Sequence, residues 1–164
     1  MSHTVYLSLG SNLGDRADNL QHAIAALPAA GVAVTRVSSF YETEPVDFMD
    51  QPWFLNCAVQ TQTELAPADL LHALQQIEIE VGRLKSVPKG PRLIDIDILL
   101  YRDEIIDTQE LQIPHPRLHL RRFVLVPLSE IAPGARHSHL NSTVAELLAR
   151  TADASKVRLV PPDK

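Results

Sequence analysis

An α/β fold of the βαββαβ type is the fold class this sequence predicts: a ferredoxin-like sheet with helices on its face, plus a C-terminal extension. Two patterns carry that expectation. Runs rich in apolar, β-branched and aromatic residues recur at residues 4–9, 32–43, 53–61 and 93–101, and stretches with a helical apolar period at 16–27 and 67–81 fill the first and last gaps between them. A third observation is that no linker, repeat or low-complexity tract divides the 164 residues, so one domain spanning residues 1–164 is expected.

Each element has a local reason. The first strand is stopped by Gly10, and residues 10–15 are turn chemistry in which Asp15 caps the first helix. That helix repeats Leu20, Ile24 and Leu27 at i, i+4 and i+7, and Pro28 ends it. Residues 32–43 form a second strand. Pro45, Asp47, Asp50 and Pro52 make 44–52 a loop. In the third strand Trp53, Leu55, Cys57 and Val59 share one face, and Phe54, Asn56, Ala58 and Gln60 the other. Pro67 suits the first turn of a second helix, whose stripe is Leu70, Leu74, Ile77 and Val81, with Gly82 as its stop. Residues 83–92 read as a loop, 93–101 as the fourth strand and 102–110 as a turn and hairpin. Pro114 and Pro116 exclude a regular element around His115. Residues 123–131 read as a short helix that Pro127 weakens, Thr143 and Glu146 form a capping box for a last helix through 148, and residues 161–164 fray.

Composition narrows the function. Fifteen basic against twenty acidic residues give a net charge of −5, which argues against a nucleic-acid partner. The one cysteine, Cys57, excludes an intrachain disulfide and a cysteine-cluster metal site. No apolar stretch is long enough for a membrane span and the first ten residues lack a signal-peptide pattern, so a cytoplasmic protein without membrane contact is expected.

The chemistry concentrates in the fourth strand. Ile94, Ile96, Ile98 and Leu100 share one face; Asp95 and Asp97 share the other, roughly 6.6 Å apart by strand rise. Two carboxylates that close repel each other unless a cation or a raised pKa compensates. Hard oxygen donors favour Mg²⁺, and a pair so spaced suits two ions that clamp a phosphoryl-type transfer. Arg83, Lys85, Lys89 and Arg92 lie upstream and His115, Arg117, His119, Arg121 and Arg122 downstream, a cationic surround that fits a polyphosphate. The plain alternative is a solvent-facing strand side among ordinary surface charges. No phosphate-binding glycine motif of the P-loop or dinucleotide type is present. Phe54 and Asn56, two apart on one strand, suit a flat heterocycle that stacks on one and is read at its edge by the other, and Phe123 is positioned in sequence to close the sandwich; core packing is the alternative for both rings. Gln75 and Glu78 flank the buried stripe of the second helix and either face solvent or line a pocket.

These residues resemble a known family, the 6-hydroxymethyl-7,8-dihydropterin pyrophosphokinases of folate biosynthesis. The resemblance is carried in order by residues 7–15, 39–45 and 50–56, by Ile77-Glu78 with Gly82-Arg83, by Gly90-Pro91-Arg92 leading into Asp95-Ile96-Asp97, and by Pro114-His115-Pro116-Arg117 with Arg121 and Phe123, covering about residues 4–150. It implies transfer of the pyrophosphoryl group of ATP to the pterin hydroxymethyl group with release of AMP. It implies two Mg²⁺ ions on Asp95 and Asp97, a pterin held by Thr43, Val46, Phe54, Asn56, Asp95 and Phe123, and a nucleotide held by Gln75, Glu78, Arg83, Arg92, Ile98, His115 and Arg121. Arg83 and Arg92 match the cationic pair that assists the chemistry, alongside Asp95 and Asp97. The protein would act as a monomer on these two small molecules, with residues 44–52 and 83–92 closing over them. Pro88 and Lys89 depart from the basic and aromatic residues common before the Gly-Pro-Arg segment, Lys85 stands where many members have Arg, Arg122 replaces a small residue, and Glu110 is acidic where some members are basic. From the residues alone, a ligand-binding module with inert aspartates and a two-metal phosphodiesterase stay open as alternatives.

Overall fold

The computed structural model describes residues 2–45, 51–84 and 93–161. In chain order the elements are β1 His3–Ser11, α1 Arg16–Ala26, β2 Val32–Val37, β3 Phe40–Thr43, β4 Phe54–Thr63, α2 Pro67–Leu84, β5 Asp95–Tyr101, β6 Ile106–Asp107, β7 Gln112–Ile113, α3 Arg122–Ile131, β8 Arg136–His137, β9 Ser142–Thr143, α4 Val144–Arg150 and β10 Val157–Val160. The main sheet runs β10-β3-β4-β1-β5, with β2 continuing the β3 side of β4, and every pairing is antiparallel. Its β5-β1-β4-β2/β3 part is the split βαβ arrangement expected from the element order.

The sheet is buried on both faces. Leu20 and Ala23 of α1 with its C-cap residue Leu27, and Leu70, Leu74, Ile77 and Val81 of α2, cover one face, against Val5, Leu7, Leu9, Leu55, Cys57, Val59, Ile96 and Ile98. The predicted stripe of α2 is thus buried throughout. On the opposite face α3 and α4 bring Val124, Leu125, Leu128, Ile131, Val144 and Leu147 onto Ala58, Leu99 and Leu100. Removing one of the fully buried leucines, such as Leu7, to alanine would cost about 2–5 kcal/mol. Cys57 is core, as its neighbours implied, and burial pushes its thiol pKa up to about 12, so it stays protonated and inert.

Caps match the residues that announced them. The Asp15 carboxylate accepts the Asp18 N–H at 3.1 Å. Thr143 and Glu146 form the reciprocal box, with the Glu146 N–H donating to Thr143 Oγ1 at 3.1 Å and the Thr143 N–H to Glu146 Oε1 at 2.8 Å. The Glu146 carboxyl lies below its ordinary pKa, chiefly through that backbone bond.

Five expectations need correction. Gly10 does not stop the first strand; β1 runs through it to Ser11, because β4 pairs along that whole length. The single strand at 32–43 is two, β2 and β3, separated at Ser38 and Ser39; the Ser38 hydroxyl takes the Ala58 N–H at 2.8 Å while the Ser38 N–H donates to the Ala58 carbonyl at 2.9 Å. Gly82 lies inside α2 rather than after it. Leu100 does not share the face of Ile96 and Ile98. Leu99 is an extra residue opposite the Tyr6–Leu7 step, a β-bulge that turns Leu100 toward α3 with Leu99. The C-terminal extension, in which no strand was expected, adds the edge strand β10 beside β3.

Candidate active site

Strand register builds the floor of the site. Asn56 of β4 stands opposite Gly10 of β1, and Gly10 opposite Asp95 of β5; in the next row Ala58 faces Ser8 and Ser8 faces Asp97. Gly10 and Ser8 are small, so the middle strand leaves a trough between the amide on one side and the carboxylates on the other. Gly10 is required there: a Cβ on it would meet Asn56 Oδ1 at 2.4 Å. The N-terminal end of α3 supplies Arg121 and Phe123 as one wall, and the Arg121 guanidinium lies over the Phe123 ring at 5.4 Å from its centroid. The result is a cavity of about 400 Å³.

This cavity brings together nine of the residues picked out from sequence: Thr43, Phe54, Asn56, Gln75, Glu78, Asp95, Asp97, Arg121 and Phe123. At one end Asn56 and Thr43 are buried, and the Asn56 amide donates to Thr43 Oγ1 at 2.6 Å. The Thr43 hydroxyl thereby fixes which way the Asn56 amide points. At the other end the Asp95 and Asp97 side chains are exposed into the cavity, on one side of β5 as alternation requires. Glu78 reaches from α2 to accept the Ile96 N–H at 2.8 Å, between the two aspartates. That bond satisfies an outward N–H of the edge strand and sets the carboxylate pair against α2.

Ile98 and His115 lie apart from the main cavity, in an adjoining one of about 240 Å³ that shares Leu71, Ile96 and Asp97 with it. The His115 N–H donates to the Leu99 carbonyl that the bulge releases, at 3.0 Å, and His115 Nδ1 accepts the Arg117 N–H at 3.2 Å. In the neutral ring the proton then sits on Nε2, ready to donate. Burial, with Arg121 and Arg117, holds the His115 pKa below its ordinary value against the opposing charge of Asp97. Val46, Arg92 and the side chain of Arg83 lie outside the described residues, as do Lys85, Pro88 and Lys89. Among the described residues no three His, Cys, Asp or Glu side chains converge as a ready-made metal site, and no helix is long and apolar enough to cross a membrane.

Sequence reasoning missed Ser8, Gly10, Leu71 and Ile96 as lining residues, while Glu44, Pro45 and Gln51 belong to the 44–52 loop expected to lie over the substrates. Ser8 and Gly10 were within reach: once β1 is paired to β5, they are the residues opposite Asp97 and Asp95.

Residues 6–133 match the family model for 7,8-dihydro-6-hydroxymethylpterin-pyrophosphokinase. The chain belongs to that family. It is 52% identical over 132 residues to the 2-amino-4-hydroxy-6-hydroxymethyldihydropteridine pyrophosphokinase of Bacillus subtilis, covering 80% of this chain and 79% of the relative. The enzyme of the same name from Haemophilus influenzae is 40% identical over 159 residues, 96% of this chain and 99% of that one. The bifunctional folate synthesis protein of Arabidopsis thaliana is 45% identical over 143 residues, of which it uses only 25% of its own length. Among solved structures, a Plasmodium falciparum HPPK-DHPS triple mutant with pteroate superposes with a TM-score of 0.72 at 19% identity, covering 92% of this chain and 43% of that one, and supports the fold. Pyrophosphoryl transfer, with ATP as co-substrate, is the activity of this family, and the chain is a transferase of folate synthesis. Membership removes the binding-module and phosphodiesterase alternatives.

Proposed function

We propose that the chain joins ATP and 6-hydroxymethyl-7,8-dihydropterin in the 400 Å³ cavity, the heterocycle between Phe54 and Phe123 and the triphosphate along Asp95 and Asp97. The observation that carries this reading is that one trough holds both a buried, oriented amide and a pair of exposed carboxylates, joined through Gly10 and Ser8. A flat ring with donors and acceptors on its edge matches Asn56 and the two rings; a chain of phosphates fits the opposite end through cations that the carboxylates would hold.

The carboxylate pair also fits divalent cations. Asp95 and Asp97 are hard oxygen donors on one side of the strand, and both are open to the cavity rather than buried. Two Mg²⁺ ions held there would neutralise phosphate charge and make the pterin alcohol more acidic. The chain's own groups do the rest. The pterin hydroxymethyl oxygen attacks the β-phosphorus of ATP, the bond from that phosphorus to the α,β-bridging oxygen breaks, AMP leaves, and an aspartate oxygen takes the alcohol proton. Arg121 and the Nε2–H of His115 bind phosphate oxygens, Gln75, Glu78 and Ile98 line the nucleotide side, and Arg83 and Arg92 offset charge building on the transferred group and on AMP. Val46 completes the pterin contacts. One domain, residues 1–164, acts as a cytoplasmic monomer on these small molecules, with no nucleic-acid or membrane partner; the net charge of −5 supports that part.

The test is product analysis. Incubation with ATP, Mg²⁺ and 6-hydroxymethyl-7,8-dihydropterin should yield AMP and pterin pyrophosphate in equal amounts. Formation of ADP, or no change in the nucleotides, would overturn the reading.

A further inference from the structure

The residues after the family match, which ends at 133, include a segment that touches two walls of the cavity at once. The first contact is at α3. Its N-cap residue, Arg121, makes no side-chain cap bond, and the Asp153 carboxylate serves instead, accepting the Arg122 N–H at 2.9 Å. The other Asp153 oxygen accepts the Ser155 N–H at 2.9 Å, and Arg122 Nε returns to the Ser155 carbonyl at 3.2 Å. Arg122, a departure from the family pattern, is therefore the tether for this segment. It lies between Arg121 and Phe123, both of which line the cavity.

The second contact is at the rim formed by β3 and β4. The Lys156 N–H donates to Glu44 Oε1 at 2.7 Å, and the Glu44 N–H donates to the Lys156 carbonyl at 3.2 Å. Arg158 donates to Glu42 Oε1 at 2.7 Å and lies over the Trp53 ring at 4.7 Å from its centroid. Arg16 completes the cluster, donating to Glu42 Oε2 and to the Trp53 carbonyl, each at 2.9 Å. Glu44 lines the cavity, and Trp53 directly precedes Phe54. Both ends of the chain between Thr43 and Phe54 are thus fastened to residues 156–158.

We infer that residues 153–158 brace the pterin end of the cavity, fixing the spacing of its two aromatic walls, with Asp153 and Arg158 as positioning residues rather than catalytic ones. The inference rests on the pterin reading above and deepens it. Asp153 holds the wall that carries Phe123, and Arg158 holds the wall that carries Phe54. A sandwich loses affinity when its walls are free to part, since the ligand must then order them on binding. The contacts described for this segment fall on α3 and on the rim that carries Phe54, so nucleotide binding should depend on it less than pterin binding does.

The experiment separates the two ends. Arg158→Gln, Arg158→Lys and Asp153→Ala are titrated with 6-hydroxymethyl-7,8-dihydropterin in the presence of Mg²⁺ and a saturating non-hydrolysable ATP analogue, and separately with that analogue alone. Arg158→Gln should bind the pterin roughly fivefold more weakly, as expected for loss of a partly exposed cation–ring contact with its ion pair, while the analogue binds within about twofold of the unaltered chain. Arg158→Lys, which keeps the cation, should recover most of that loss. Asp153→Ala should weaken pterin binding and lower the Tm, because it uncaps α3, and should weaken the analogue to a smaller extent, because Arg121 stands on the same wall. Unchanged pterin affinity in a folded Arg158→Gln, or equal weakening of both ligands, would overturn the inference. If the unaltered chain bound nucleotide but no pterin, the functional reading itself would fall.

Discussion

The two ends of the cavity are built on opposite physical terms. At the amide end Thr43 and Asn56 are buried and satisfy each other, Gly10 is cut to the size of the Asn56 oxygen, and the walls are fastened from outside by residues 153–158. At the carboxylate end Asp95 and Asp97 stay exposed two residues apart, with like charge facing one space. The first end is finished before any ligand arrives. The second is a concentration of negative charge that gains from cations, and through them from phosphates. On the function proposed above, recognition falls to the pre-organised amide end and chemistry to the carboxylate end, where stabilisation is largest when charge shifts.

Substitutions that touch one end only should divide binding from turnover. The largest effect is expected for Asp97→Ala: turnover should fall by about 10³-fold or more, because charge stabilisation at the transferring group is lost. Its Tm should hold steady or rise, since a repelling carboxylate has gone. Rate and thermal melts measured on the same preparation check both, and a severe loss of stability would show a structural role instead. Next is Gly10→Ala. The added carbon meets the Asn56 oxygen at 2.4 Å, so the amide must turn away from its partner Thr43. A stability loss of about 1–3 kcal/mol is expected from the overpacking. Pterin affinity should drop while nucleotide affinity holds, measurable by denaturant melts and separate titrations.

The smallest effect is in protonation. Burial sets the His115 pKa below the usual histidine value, while Asp97 pulls it upward. Removing the Asp97 charge should lower it further, visible in an NMR titration of the imidazole. The unfolded chain then binds more protons than the folded one just below the ordinary histidine value, so stability is lost as pH falls through that window and regained as it rises. His137, held low by burial and by neighbouring His119 and His139, acts in the same direction. Thermal melts across that pH range, with and without Asp97, test the sign.

Much of this was readable from residue patterns. The helix stripes, the Asp15 and Thr143 caps, the shared side of Asp95 and Asp97 and the inert Cys57 all follow from local spacing. What escaped depends on a distant partner. Gly10 looks like a stop until Asn56 is placed beside it. The break at Ser38 exists because its hydroxyl meets the Ala58 N–H twenty residues on. Strand β10 is short and only partly buried, with Leu159 60% exposed, and is defined by pairing to β3 rather than by any apolar rhythm. The cavity-lining role of Ser8 likewise arises from register.

The bulge at Leu99 has a final consequence for anyone who transplants or redesigns β5. Because one residue is surplus there, the strand changes phase midway: its first half offers acids to the cavity, and its second half offers leucines to the helix layer on that same side. The slack carbonyl becomes the peg from which His115 hangs. Deleting that residue to regularise the ladder would leave Leu100 opposite Tyr6 but take the Leu99 side chain out of the helix layer and unhook the imidazole in one stroke, so an idealised strand carrying both aspartates would still be the wrong strand.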